Sequence, residues 1–102
     1  MNHLRDLIET RRTANPDTSY VAKMFAKGER KLAQKVGEEA TEVVIASLTE
    51  SKDDFINESA DLLFHLSMLW AEKDIHPDDV MQELEKRMGT SGIDEKAARK
   101  VK

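Results

Sequence analysis

The chain has 102 residues, of which 39% are apolar and 35% charged, with no cysteine and a net charge of -4. That length allows one small domain, residues 1–102, with the composition of a globular protein. The missing cysteines exclude a disulfide scaffold, a thiolate zinc site and a cysteine nucleophile, and the acidic balance speaks against nucleic-acid binding, which needs a basic face. No apolar run approaches a membrane span and Met1-Asn2-His3-Leu4 does not open like a signal peptide, so no membrane partner and a cytoplasmic location are expected.

The recurring signal is the i, i+3, i+4 apolar spacing of amphipathic helices. Leu4, Leu7 and Ile8 mark a first helix that stops before Asn15-Pro16. Ser19 predicts the N-cap of a second, which carries Val21, Met24 and Phe25 and ends at Gly28. A third is expected from Glu29 to Leu48. Ser51 and Asp54 open a fourth, Lys52 to Lys73, and Pro77 suits the first position of a fifth carrying Val80, Met81 and Leu84. The tail from Asp94 offers at most a short basic helix. The fold class is therefore all-α: an antiparallel bundle of four to five helices with short connections.

Projection of the third helix at about 100° per residue, with Leu32 at zero, puts Val43 and Val36 in one apolar stripe. Glu39 falls inside that stripe, Glu42 on its flank and Glu38 further round. A carboxylate on a core face must be neutralised, by a proton or by a cation. The fourth helix is apolar almost all round, which implies burial on several sides by its own domain or by a second copy. Glu58, Asp61 and His65 nevertheless run along it as one polar seam, and no Lys or Arg lies between Asp53 and Glu72 to pair with them.

Glu39 with Glu42, and Glu58 with Asp61, are thus two pairs of acids three residues apart, each pair pointing one way. Packed together, the two helices would form a four-carboxylate cage whose oxygens suit Mg²⁺, with Mn²⁺ as the alternative. The competing reading is two solvated helix faces. A di-iron bundle would need Glu-x-x-His on two helices, which this chain lacks. His65 can be a buried, hydrogen-bonded histidine, a direct ligand, or a group that orients Asp61 one turn before it. Lys31 and Lys35 project to the side of Glu38 and Glu42, either as a salt-bridge ladder or as cations for a metal-held polyphosphate.

Glu38-Glu39-Ala40-Thr41-Glu42 followed by Glu58-Ser59-Ala60-Asp61 resembles the EExxE…ExxD signature of the all-α, MazG-like nucleotide pyrophosphohydrolases. Ser19-Tyr20, Lys27-Gly28, Ala33 through Glu39, Ala60 through Leu66, and the end with Arg87, Gly89, Ser91-Gly92 and Glu95 to Arg99 look like the phosphoribosyl-ATP pyrophosphatase family of histidine biosynthesis. The resemblance implies Mg²⁺-dependent hydrolysis of phosphoribosyl-ATP to phosphoribosyl-AMP and pyrophosphate by a cytoplasmic homodimer. It carries metal binding to Glu39, Glu42, Glu58 and Asp61, and to Glu38 a separate role, positioning the attacking water. Some members are fused to the next enzyme; this chain is expected to stand alone.

The residues agree with that chemistry. A carboxylate-held metal acidifies water and screens phosphate charge. Water would then attack the phosphorus next to the ribose, while Lys31, Lys35 and Arg87 stabilise departing pyrophosphate. No Gly-rich phosphate loop is present, so metal and basic side chains must grip the phosphates. Two other functions stay open: a housekeeping pyrophosphatase using the same cage on other nucleotides, and a helical dimerisation module whose acids are structural.

Overall fold

A computed structural model describes residues 2–89 as five helices: α1 (Asn2–Arg11), α2 (Tyr20–Lys27), α3 (Glu29–Thr49), α4 (Lys52–Glu72) and α5 (Pro77–Met88). All five follow the order expected, and the ends of α3 and α4 each differ by one residue from the sequence reading. The described part is all-α. The basic tail from Asp94 lies outside the described residues.

Local chemistry explains the boundaries. Ser19 Oγ accepts the Ala22 amide at 3.2 Å, and Ser51 Oγ accepts the Asp54 amide at 3.2 Å, each relieving one of the unpaired donors of a first turn. Pro77 opens α5, where a missing N–H costs nothing, and His76 caps it through a 3.0 Å bond from the Asp78 amide to Nδ1. Between α2 and α3 the chain turns at Gly28 with φ 96° and ψ 175°, a conformation open in practice only to glycine.

Helices α3 and α4 form an antiparallel hairpin around a two-residue turn, Glu50 and Ser51. Residues at closely matching distances from that turn therefore face each other: Glu42 meets Glu58, and Glu39 meets Asp61. At the open end Lys73 Nζ reaches Glu29 Oε1 at 3.4 Å. Helices α1 and α2 pack on this open end, and α5 leans on α1. Ile8, Val21, Met24, Leu32 and Met68 make the core, with Leu4, Phe25, Phe64 and Leu69 against it.

Arg12, just past α1, fastens the three elements. Its guanidinium lies 4.5 Å from the centre of the Phe25 ring, donates to the Ala71 carbonyl at 3.3 Å, and sits 3.7 Å from Glu72. Stacking on the ring and pairing with the last carbonyls of α4 both favour the cation there.

The other end of the hairpin is bare. Val44, Leu48 and Ile56 are 58%, 79% and 55% exposed. The apolar character of α4 is thus satisfied by its own chain only toward its C-terminal half.

Candidate metal centre and active site

Midway along the hairpin, oxygens of Glu39, Glu58 and Asp61 lie within 4.8 Å of one another. Glu39 is buried at 7% exposure, as its place in the α3 stripe predicts, while Glu58 and Asp61 are half-buried. Glu42 and Glu38 are exposed at the rim. Among the described residues, Glu39 Oε2 and Glu58 Oε2 are buried without a hydrogen-bond partner. Two bare carboxylate oxygens in one cluster are costly unless a cation or a proton meets them.

The proton's share is visible at Glu58. The neighbouring Glu42 carboxyl, then burial, then the charges of Asp61 and Glu39 push Glu58 up to about 7. A hard divalent ion held by these carboxylates would displace that proton. The donor set is all oxygen, which fits Mg²⁺ or Mn²⁺. It offers no nitrogen or sulfur for zinc.

Lys35 lies between two of the acids. Its Nζ is 3.4 Å from Glu39 Oε1 and 3.4 Å from Glu38 Oε1. Burial works against its charge, but hydrogen bonds to Glu38 and Glu39 outweigh it and hold the ammonium above its usual range. Glu38 also accepts from Gln34 Nε2 at 2.7 Å, and Gln34, then Lys35, keep its carboxyl below the ordinary value, with Lys31 adding a more distant positive charge. The ladder reading of these lysines is therefore realised at Lys35, on the rim of the acidic cluster.

His65 is 5% exposed. Its Nδ1 lies 2.7 Å from the Asp61 backbone carbonyl, and its Nε2 lies 2.6 Å from the Tyr20 hydroxyl. A carbonyl only accepts, so Nδ1 carries the hydrogen; in the neutral ring Nε2 then accepts from Tyr20 O–H. His65 thus touches the Asp61 main chain and not its carboxylate. Its bonds fix the α4 turn that presents Asp61.

Tyr20 is the residue the sequence reading left out of the site. Burial raises its phenol above the usual value; Lys35 opposes that, and Glu39, Asp61 and Glu38 add to it, so the hydroxyl feels charges of the cluster and of its rim. The available signal was that the chain's one tyrosine directly follows the cap of α2.

Arg87 is not brought to the acids within the described chain: it stands on α5, and its Nε donates to Glu83 at 3.0 Å. Ser91, Gly92 and the Glu95–Arg99 stretch lie outside the described residues.

The chain is similar to known proteins along its whole length. Residues 1–88 match the family model described as phosphoribosyl-ATP pyrophosphohydrolase. Phosphoribosyl-ATP pyrophosphatase of Paramagnetospirillum magneticum is 51% identical over 102 residues, covering 100% of this chain and 94% of that protein. The protein of the same name from Rhodospirillum rubrum is 55% identical over 97 residues, 95% of this chain and 83% of its own. That of Erythrobacter litoralis is 52% identical over 99 residues, 97% and 95% of the two chains. Identity at this level across the whole length, together with a matching family model, leads to one conclusion: the chain belongs to the phosphoribosyl-ATP pyrophosphohydrolase family.

Proposed function

We propose that this chain, as a single domain, hydrolyses phosphoribosyl-ATP to phosphoribosyl-AMP and pyrophosphate, the second step of histidine biosynthesis. The observation that carries the reading is the pair of bare, buried oxygens, Glu39 Oε2 and Glu58 Oε2, found among the described residues in a cluster of three acids. Glu39, Glu42, Glu58 and Asp61 would hold Mg²⁺. Bound there, the ion would supply charge screening for the phosphates and acidify a coordinated water.

The chain's own residues do the rest. Glu38, kept ionised by Gln34 and Lys35, is suited to orient the attacking water by accepting its hydrogen bond. Lys35 and Lys31 lie on the same rim and neutralise the leaving pyrophosphate, a purely electrostatic contribution. His65 and Tyr20 position Asp61 through the α4 backbone. Arg87 stands apart on α5, paired with Glu83, so a contact with pyrophosphate would require a second copy of the chain. The exposed Val44, Leu48 and Ile56 support a homodimer, since contiguous apolar surface of this kind marks an interface. Among the described residues no helix is long and apolar enough to cross a membrane, and the reading puts the reaction in the cytoplasm, with its nucleotide substrate.

The test is pyrophosphate release from phosphoribosyl-ATP and from a panel of nucleoside triphosphates, with and without Mg²⁺. Mg²⁺-dependent release confined to phosphoribosyl-ATP is expected. Equal turnover of ordinary triphosphates would instead make the chain a general pyrophosphatase, and no turnover at all would leave a helical dimerisation module.

A further inference from the structure

A cleft of about 460 Å³ lies between the α1–α2 connection and α4, with Tyr20 in its lining and none of the clustered acids. Arg11, Thr18, Ser19, Tyr20 and Phe64 line it. Its size falls within the roughly 300–1,000 Å³ of small-molecule sites. Tyr20 and Phe64 form one wall, their rings stacked at 25° with centres 6.3 Å apart. The same Tyr20 hydroxyl bonds His65, which bonds Asp61, so the cleft begins one tyrosine ring from the acidic cluster.

Charge decides what such a cleft can take. Arg12 is engaged by Glu9, Glu72 and the Ala71 carbonyl, Lys73 by Glu29, and Arg87 by Glu83. Arg11 is the cation that lines the cleft, and among the described residues it has no carboxylate partner. An aromatic wall, two hydroxyl side chains and an uncommitted guanidinium match a base, a ribose and a phosphate monoester, because guanidinium meets phosphate as a two-pronged donor.

The substrate in the proposed reaction is anionic at both ends: a triphosphate, and a second ribose carrying its own phosphate. With the triphosphate on the acid-held ion, the far phosphate needs a cation on the opposite side of the base. We propose that this cleft is the subsite for the second phosphoribosyl group, and that Arg11 binds its phosphate and separates this substrate from ordinary nucleotides. The proposal rests on the reaction proposed above and adds a specificity determinant to it.

The experiment uses the full chain and two substrates: phosphoribosyl-ATP, and the ribosyl-ATP that lacks the distal phosphate. Arg11→Ala should raise KM for phosphoribosyl-ATP by about tenfold or more, the scale of a lost charge-assisted hydrogen bond, with kcat nearly unchanged. Arg11→Lys should recover part of the loss. Ribosyl-ATP should bind weakly to the wild type and no more weakly to Arg11→Ala. Equal KM effects on both substrates, or no effect on either, would overturn the subsite. Arg11 is exposed, and matching circular dichroism spectra will show the variant folded. If the wild type releases no pyrophosphate, the proposed reaction fails by itself; the subsite is then judged on binding of phosphoribosyl-AMP, which Arg11→Ala must weaken for it to stand.

Discussion

Lys35 Nζ sits 3.4 Å from Glu39 Oε1, while Oε2 of the same carboxylate is buried and, among the described residues, unpartnered. One half of the charge is answered from within the chain and the other half is left for a guest. Glu39→Gln should therefore lower turnover by about a hundredfold or more, since several kcal/mol of charge stabilisation leave with a metal ligand. The helical circular dichroism spectrum should not change. Mg²⁺ should raise the melting temperature of the wild type, by the equivalent of about 2.7 kcal/mol at a hundredfold excess over Kd, and should do much less for the variant. Near-normal pyrophosphate release by Glu39→Gln would remove Glu39 as the central ligand.

Glu58 makes the metal-free protein sensitive to pH. Its folded value of about 7 lies above the ordinary carboxyl value of 4.5, so between those two points the folded chain binds more protons than the unfolded one. The stability that this proton contributes is complete below the ordinary value and is lost as pH rises toward 7. Urea titrations without metal should show that decline, and Glu58→Gln should flatten it. Metal must displace the same proton, so affinity should weaken on acidification below 7. A metal affinity that stays level from about pH 5 to 8 would show that the acids do not share an ion.

Tyr20→Phe keeps the ring in the cleft wall and deletes one hydroxyl. His65 Nε2 is then buried without its donor, a loss of about 1–3 kcal/mol that thermal melting can read. Turnover should fall by less than in Glu39→Gln, because Asp61 keeps its carboxylate and loses only part of its support. A melting temperature unchanged in Tyr20→Phe would mean that the 2.6 Å contact contributes nothing.

The exposed end of the hairpin should join two copies. Leu48→Glu and Ile56→Asp place charge where 79% and 55% of the side chains are open in one chain. Sedimentation should report a dimer for the wild type and a shift toward monomer for each variant. A wild-type monomer would leave that apolar face without a purpose in the enzyme.

The helices were legible because their signals are local. Ser19, Gly28, Ser51 and Pro77 each act on the backbone within a few residues, and each sits where its chemistry predicts. The burial of Glu39 was legible for a similar reason, since 3.6-residue periodicity places it among Leu32, Val36 and Val43. Tyr20 was not legible. It meets His65 across 45 positions of chain, and that meeting depends on how α2 folds back over α4. The closeness of Glu42 to Glu58 likewise depends on the two-residue turn, which fixes the hairpin register. Periodicity along one helix carries no record of it. Nor does the pattern of α5 say that it will lean on α1, which is why Arg87 stands apart from the lysines it was grouped with.

The corner at Gly28 has an effect beyond ending a helix. A side chain added there would meet open space, so what restricts the position is its backbone angles alone. Those angles set the direction in which α3 leaves α2, and with it where Tyr20, at the other end of α2, stands relative to the acids on α3. Replacing lining residues can retune charge or shape on either side, but changing the reach itself requires adding or removing a turn of α2, a step of about 5.4 Å. If Arg11 holds the distal phosphate as proposed, the number of residues between Gly28 and Tyr20 would then set how long a nucleotide the chain accepts.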